Sequence, residues 1–329
     1  MQPRPIIYFQ SLQLIRGIAS ILVMTLHTGF TTFGWIGVDF FFVLSGFIIF
    51  HVHHHWIGQP HFVYHYIIKR ISRIYPVYWF IAGSYLFIHY SLGNIGDFYN
   101  SDFWGFIQSF TLLPSHPAII LTSWTLSYEL LFYCLFGLLI ISNRFFLLLL
   151  IWFLLCFIQL LSLQYDLKIY LNGFYFNPIN LEFALGIILF YIIEKDKIRI
   201  AQWNTYVFIV IGILISLWSL QQTLVHRLII AGIPCFFILL GIICLEKYHS
   251  FKVHTWLVAI GNASYFLYLS HTIIISTFEG LLSKLLIIEG LTKNVVLLSA
   301  MLLSVVVSLL AYNLVEKPLI YHFRKIFQI

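Results

Sequence analysis

Apolar runs close to 20 residues long, parted by brief polar breaks, recur along the chain from residue 12 to residue 315. As α-helices they match the about 30 Å of hydrocarbon in a bilayer. The pattern predicts spans near 12–30, 38–54, 74–91, 124–142, 145–163, 178–193, 203–220, 228–245, 256–275 and 295–314. Ten spans put both termini on one side of the membrane. The second and sixth runs are short or interrupted, and 104–122 (WGFIQSFTLLPSHPAIILT) reads as a re-entrant or interfacial segment. The count is therefore open by one or two. No polar stretch exceeds about 20 residues, too little for a soluble domain, so the expected fold is an all-α transmembrane bundle forming a single domain over 1–329. The first run lacks a charged-then-cleavable leader pattern and is expected to be a retained span.

Composition agrees, with 61% hydrophobic and 9% charged residues and a mean hydropathy of +0.94. Soluble domains carry about 25% charged residues. With the N-terminus inside, all 18 Lys and Arg fall on the cytoplasmic side except Lys168, Arg227, Lys284 and Lys293. That bias follows the positive-inside rule. The net charge of +6 is thereby explained without nucleic acid. Cys134, Cys156, Cys235 and Cys244 lie inside apolar runs, spaced for neither a disulfide framework nor a zinc site, and read as packing residues.

Against this background the intramembrane charges stand out. In QLIRGIASILVMTLH, Arg16 and His27 are eleven residues apart, which returns His27 to within roughly 20° of Arg16 and some 16 Å further along the axis. Each alone has an ordinary reading, a snorkelling arginine and a capping histidine. Together on one face they suggest a path between the two membrane sides. Asp39 in GVDFFFVLSGF enters the next span on the side of His27 and is either its partner or a helix cap. Arg70 and Arg73 in KRISRIYPVYW share a helix face. Such a pair suits lipid phosphate or a phosphorylated cofactor held by two forks; Lys69 beside them is assigned to topology.

In SWTLSYELLFY, Glu129 sits at membrane depth among Trp124, Tyr128 and Tyr133. The aromatics fit an interfacial belt, whereas the glutamate requires a partner, a proton or a task. Glu182 and Glu316 are further membrane-edge carboxylates, and Glu316 could pair with Lys317 or cap the last span. The run HVHHHW brings His51, His53, His54 and His55 together without cysteine or carboxylate; it reads as a solvated or headgroup-facing stretch, and no metal site is expected. Asn262, Tyr265 and His271 in GNASYFLYLSH either line a substrate path or make ordinary helix contacts.

These motifs, in this order and over essentially the whole chain, resemble the acyltransferase-3 family of integral membrane acyltransferases. The resemblance is greatest to the branch that acetylates exopolysaccharides and other surface glycans. It implies transfer of an acyl group, commonly acetyl, from cytoplasmic acyl-coenzyme A to a carbohydrate hydroxyl, with no permanently bound cofactor. It further implies that Arg70 and Arg73 hold the coenzyme phosphates and Arg16 flanks the pantetheine arm. His27 would act as general base, oriented by Asp39 or Glu129. A bacterial inner membrane, and glycan-synthesis machinery or a second copy as partners, follow from the same resemblance. No Gly-x-Ser-x-Gly nucleophile elbow occurs, which favours direct transfer over an acyl-enzyme. The competing class is a proton-coupled transporter, against which the Arg-x-x-Arg pair and the lack of an inverted repeat weigh. A noncatalytic assembly partner of a glycan synthase is a third.

Overall fold

The computed structural model describes residues 8–91, 103–114, 119–169, 171–194, 202–219, 226–249, 251–283 and 290–328. Among them there is no strand. The helices are α1 (Gln10–His27), α2 (Ile36–His53), α3 (Val63–Ser91), α4 (Phe103–Phe110), α5 (Trp124–Ile141), α6 (Phe146–Tyr165), α7 (Leu181–Glu194), α8 (Gln202–Ser219), α9 (Ile233–His249), α10 (Thr255–Asn262), α11 (Ser264–Ser283), α12 (Gly290–Ala311) and α13 (Lys317–Ile326).

Six of the helical stretches are long and apolar enough to cross a membrane, namely Ile36–Trp56, Leu121–Ile141, Asn143–Tyr165, Leu228–His249, Ser264–Ser283 and Thr292–Ile326. The other four predicted runs also fold as helices, with a physical reason for missing that set. α1 is diluted by Arg16, and the membrane run of α3 by its tyrosines, Trp79, Pro76, Ser84 and His89. α7 has 14 residues, although a turn over Pro178–Asn180, capped by Asn177, leads into it. In α8 the apolar part is Trp203–Trp218. Arg4, Lys195, Lys197, Arg199 and Lys284, used in the charge layout, lie outside the described residues.

One predicted span is redrawn. The run 256–275 is two helices, α10 and α11, separated at Ala263. Gly261 lies so close to the backbone of Gln13 in α1 that a side chain there has no room. That contact seats α10 across α1, and α11 then starts afresh as the long helix.

α2 is the hub of the core. Val43, Phe47 and Phe50 on it are fully enclosed, as are Phe132 and Phe136 of α5 and Phe183 of α7. It meets α7 where Gly46 faces the Phe183 backbone, a close approach of the kind small residues permit in membranes. The outer helices instead turn apolar side chains outward, among them Leu147, Leu150 and Leu154 on α6 and Val207, Val210 and Leu214 on α8. Such a surface suits lipid.

The short α4 occupies the stretch expected to be re-entrant; residues 115–118 are outside the described set. Its terminal carbonyls are caught by α3. Tyr75 donates to Thr111 (2.8 Å), Tyr78 to Ser109 (2.7 Å) and Trp79 to Phe110 (3.0 Å), so the orphan groups of the helix end are satisfied within the protein. Cys156, Cys235 and Cys244 are buried free thiols, while Cys134 is exposed and is not the packing residue expected.

Candidate functional site

A cavity of about 240 Å³ opens between α1, α2, α3, α5, α11 and α13. Its charge comes from four arginines on three helices, Arg16, Arg70, Arg73 and Arg324, with Glu129 facing them. Helical spacing explains the convergence: Arg70 and Arg73 are one turn apart on α3, as are Glu129 and Tyr133 on α5.

Each charge is held differently. Arg73 Nη1 donates to Glu316 Oε1 at 2.6 Å, and its guanidinium lies 5.2 Å from the Tyr265 ring. Arg70 Nη2 donates to His53 Nε2 at 3.1 Å, between the Tyr66 and Tyr133 rings; its Nε has no partner among the described residues. Arg324 Nε donates to Ser72 Oγ (3.1 Å). Glu129 Oε1 accepts from Ser45 Oγ at 2.9 Å and from the Tyr133 hydroxyl. Arg16 lines the cavity without an ion pair among the described residues.

α11 carries a stripe along one face, Tyr265, Tyr268 and His271, at intervals of three residues. Tyr265 donates to the Ile74 carbonyl (2.9 Å). Tyr268 closes the cavity: its hydroxyl is 2.9 Å from Thr125 Oγ1 and its ring centroid 5.3 Å from that of Phe41. Beyond it, fully buried His271 places Nε2 3.1 Å from Nδ1 of His27, which is exposed at the end of α1. Neither histidine lines the cavity.

The hydrogen positions at this pair follow from their neighbours. His271 Nδ1 meets the Leu267 carbonyl at 2.9 Å. It therefore carries the hydrogen, and in the neutral ring Nε2 is the acceptor. His27 Nδ1 faces that acceptor and the Val23 carbonyl (2.9 Å). It must be the donor, so Nε2 of His27 is left as the basic nitrogen.

Several expected pairings are corrected. Asp39 does not partner His27, nor does it cap α2, whose N-cap is Trp35. Arg227 takes it in a two-pronged pair, Nε to Oδ1 at 2.9 Å and Nη2 to Oδ2 at 2.8 Å, while stacking over Trp35 at 5.2 Å. Fork and carboxylate match in plane and spacing. Glu182, fully buried, lies against Asp39, and neither of its oxygens meets a donor among the described residues. Glu129 faces the arginines, away from the His27 pair. Glu316 pairs with Arg73, whereas Lys317 reaches Asn313 (3.1 Å). The histidine run is not uniformly solvated either: His53 is buried against Arg70 and Trp56, and His51 lies between Phe9 and Phe47.

Trp124 and Tyr128 line a separate cleft of about 410 Å³ with Ser109, Ser123, Ser127 and Phe174. Tyr128 accepts from Asn177 at 3.3 Å. Asn262 ends α10, just before the break.

Arg227, Arg324, Tyr268, Ser45 and His53 escaped the sequence reading. Tyr268 had a signal, being midway between Tyr265 and His271 in helical spacing. Arg227 and Arg324 enter the charge layout as topology signals, and nothing in their spacing singles them out further.

Compared with known proteins, residues 9–313 match the family model described as an acyltransferase domain. The chain is 25% identical over 313 residues to the exopolysaccharide production protein ExoZ of Rhizobium meliloti (strain 1021), covering 88% of this chain and 90% of that one. No solved structure matches.

Proposed function

The chain belongs to the acyltransferase-3 family, and on that premise we propose that it is a membrane O-acyltransferase moving an acyl group, acetyl in the first instance, from cytoplasmic acyl-coenzyme A to a hydroxyl of an exopolysaccharide, another surface glycan or its lipid-linked precursor. On this reading ten helices span a bacterial inner membrane, both termini face the cytoplasm, and 1–329 act as one domain. The observation that carries it is the line from four arginines, past Tyr265 and Tyr268, to the His271–His27 pair.

Arg70 and Arg73 hold donor phosphate at the cytoplasmic mouth, where guanidinium forks suit it. Arg16 flanks the pantetheine arm, and Glu129 with Tyr133 and Ser45 keeps the mouth's cations spaced. The arm reaches His27 by displacing the Phe41–Tyr268 closure. His27 Nε2 takes the proton of the acceptor hydroxyl as its oxygen attacks the thioester carbonyl. The carbon–sulfur bond breaks, the coenzyme thiolate takes the proton back from His27, and ester and free coenzyme A leave. His271 orients His27, the task first expected of Asp39 or Glu129. The cleft bearing Trp124 and Tyr128, on the side of His27 in this layout, offers aromatic faces and hydroxyls to a sugar.

The test is acyl transfer by purified, reconstituted protein with labelled acetyl-coenzyme A, comparing wild type with His27→Ala. The expected outcome is coenzyme release and glycan labelling by wild type, with a loss of about 10²–10⁴ in turnover for the variant and donor binding retained. Normal turnover by His27→Ala overturns the mechanism. A protein that binds no acyl-coenzyme A, yet moves solute with protons, is a carrier instead.

A further inference from the structure

A second cavity, of about 600 Å³, adjoins the first. Arg73 and Arg324 line both, so these two side chains form the wall between them. Lys317, Tyr321 and Lys325, all on α13, form much of the rest. This short helix follows a π-helical turn over Tyr312–Glu316, the turn that delivers Glu316 to Arg73. Besides Arg73, which Glu316 pairs, three more cations line this space. Lys317, Arg324 and Lys325 have no carboxylate partner among the described residues; Lys317 is spent on Asn313 and the Tyr312 ring, Arg324 on Ser72, and Lys325 is exposed. Tyr321 is 62% exposed, leaving much of its ring uncovered.

Size separates the two spaces. Pockets that enclose a drug-sized ligand run to about 300–1,000 Å³. The inner cavity falls short of that range, yet a coenzyme A molecule is larger than a typical drug. A thin chain such as pantetheine fits the inner space; a nucleotide with its phosphates requires the outer one. The charges agree, since three unpaired cations around one hollow make a site for a polyanion.

We propose that the α13 vestibule is a second phosphate subsite, taking the 3′-phosphorylated nucleotide end of the donor, with Arg324 at the junction, Lys317 and Lys325 around the phosphate and Tyr321 under the base. This rests on the acyl-coenzyme A reading above. Phosphate is also the chemistry of lipid headgroups, which basic amphipathic helices bind at membrane surfaces, and the test separates the two sources.

The protein is reconstituted in nanodiscs of neutral phosphatidylcholine, and affinities for coenzyme A and 3′-dephospho-coenzyme A are measured for wild type, Arg324→Gln and the double variant Lys317→Gln/Lys325→Gln. The readout is the ratio of the two affinities, which a partly unfolded sample leaves unmoved. Wild type is expected to prefer coenzyme A by about tenfold or more, as a charge-assisted phosphate contact implies. Both variants are expected to bring the ratio close to unity. Wild-type binding without preference, or variants that keep the full preference, overturns the subsite and leaves the donor reading intact. No binding of either compound overturns both. In a parallel set of nanodiscs containing phosphatidylglycerol, variants that lose only retention of the anionic lipid, with the ratio unchanged, assign the vestibule to headgroups and overturn the proposal.

Discussion

His27 Nδ1 has two acceptors within reach, the Val23 carbonyl and His271 Nε2, and one hydrogen to share between them. Losing His271 therefore leaves the ring held by a single backbone contact, which keeps the tautomer but no longer fixes the ring's orientation from a second side. His271→Leu is expected to slow transfer by about fivefold, since a hydrogen bond contributes about 1 kcal/mol and 1.4 kcal/mol is a factor of ten. His271→Gln, which keeps an acceptor, is expected to recover part of the loss; equal rates in the two variants would remove His271 from the orienting role. The Asp39–Arg227 pair makes a different prediction. Arg227→Gln strands Asp39, fully buried, against Glu182, also fully buried. Removing one partner of a buried pair costs about 3–5 kcal/mol; the lower figure is expected here because the Arg227 side chain is 30% exposed. Thermal unfolding in detergent reads it, and an unchanged midpoint would mean that the pair bears no load. The spacing of Arg16 and His27, or of Arg70 and Arg73, was legible in the sequence because a helix makes near neighbours predictable. Asp39 and Arg227 are 188 positions apart, and no periodicity reports such a meeting.

α11 shows what a single helix face contributes. Tyr265, Tyr268 and His271 follow one another from the arginine mouth to His27, so on the proposed reading one element sets both the route and its closure. Tyr268→Ala removes the ring that meets Phe41 and the hydroxyl that meets Thr125. Coenzyme release without acceptor is expected to rise several-fold relative to glycan labelling, because water then reaches a thioester that the closed site excludes it from. An unchanged ratio of release to labelling would mean that Tyr268 is not the closure. α11 was also the element whose start was hardest to read. Hydropathy runs unbroken through 256–275, whereas the structure parts it at Ala263, beside the close approach of Gly261 to α1.

For the chain as a bilayer protein, the helices that miss the apolar criterion are instructive. α1 falls short through Arg16, so there counting spans and finding the site draw on the same residue, whereas α3 falls short through the tyrosines, Trp79, Pro76 and His89 of its membrane part. The ten-span layout predicts that a reporter fused after Gln328 is active in the cytoplasm. One inserted in the turn at Asp166, whose backbone is already left-handed, is expected to be active only outside. Activity of both reporters on one side would break the layout. Apolar run lengths made the all-helical fold and its six long apolar helices readable in the sequence. The packing of α2 at the centre was not, since every span is hydrophobic and hydropathy does not say which helix is wrapped by the others.

The closure at Phe41 and Tyr268 also bears on the cell's energy supply. A route joining arginines on one side to a histidine on the other is a potential leak through an energised membrane. On the proposed mechanism, the two aromatic rings part only for the pantetheine arm, and the donor's phosphates keep the rest of the coenzyme at the mouth. On that reading the coenzyme would stay in the compartment that makes it, and the ring closure would keep the route sealed to protons between turnovers.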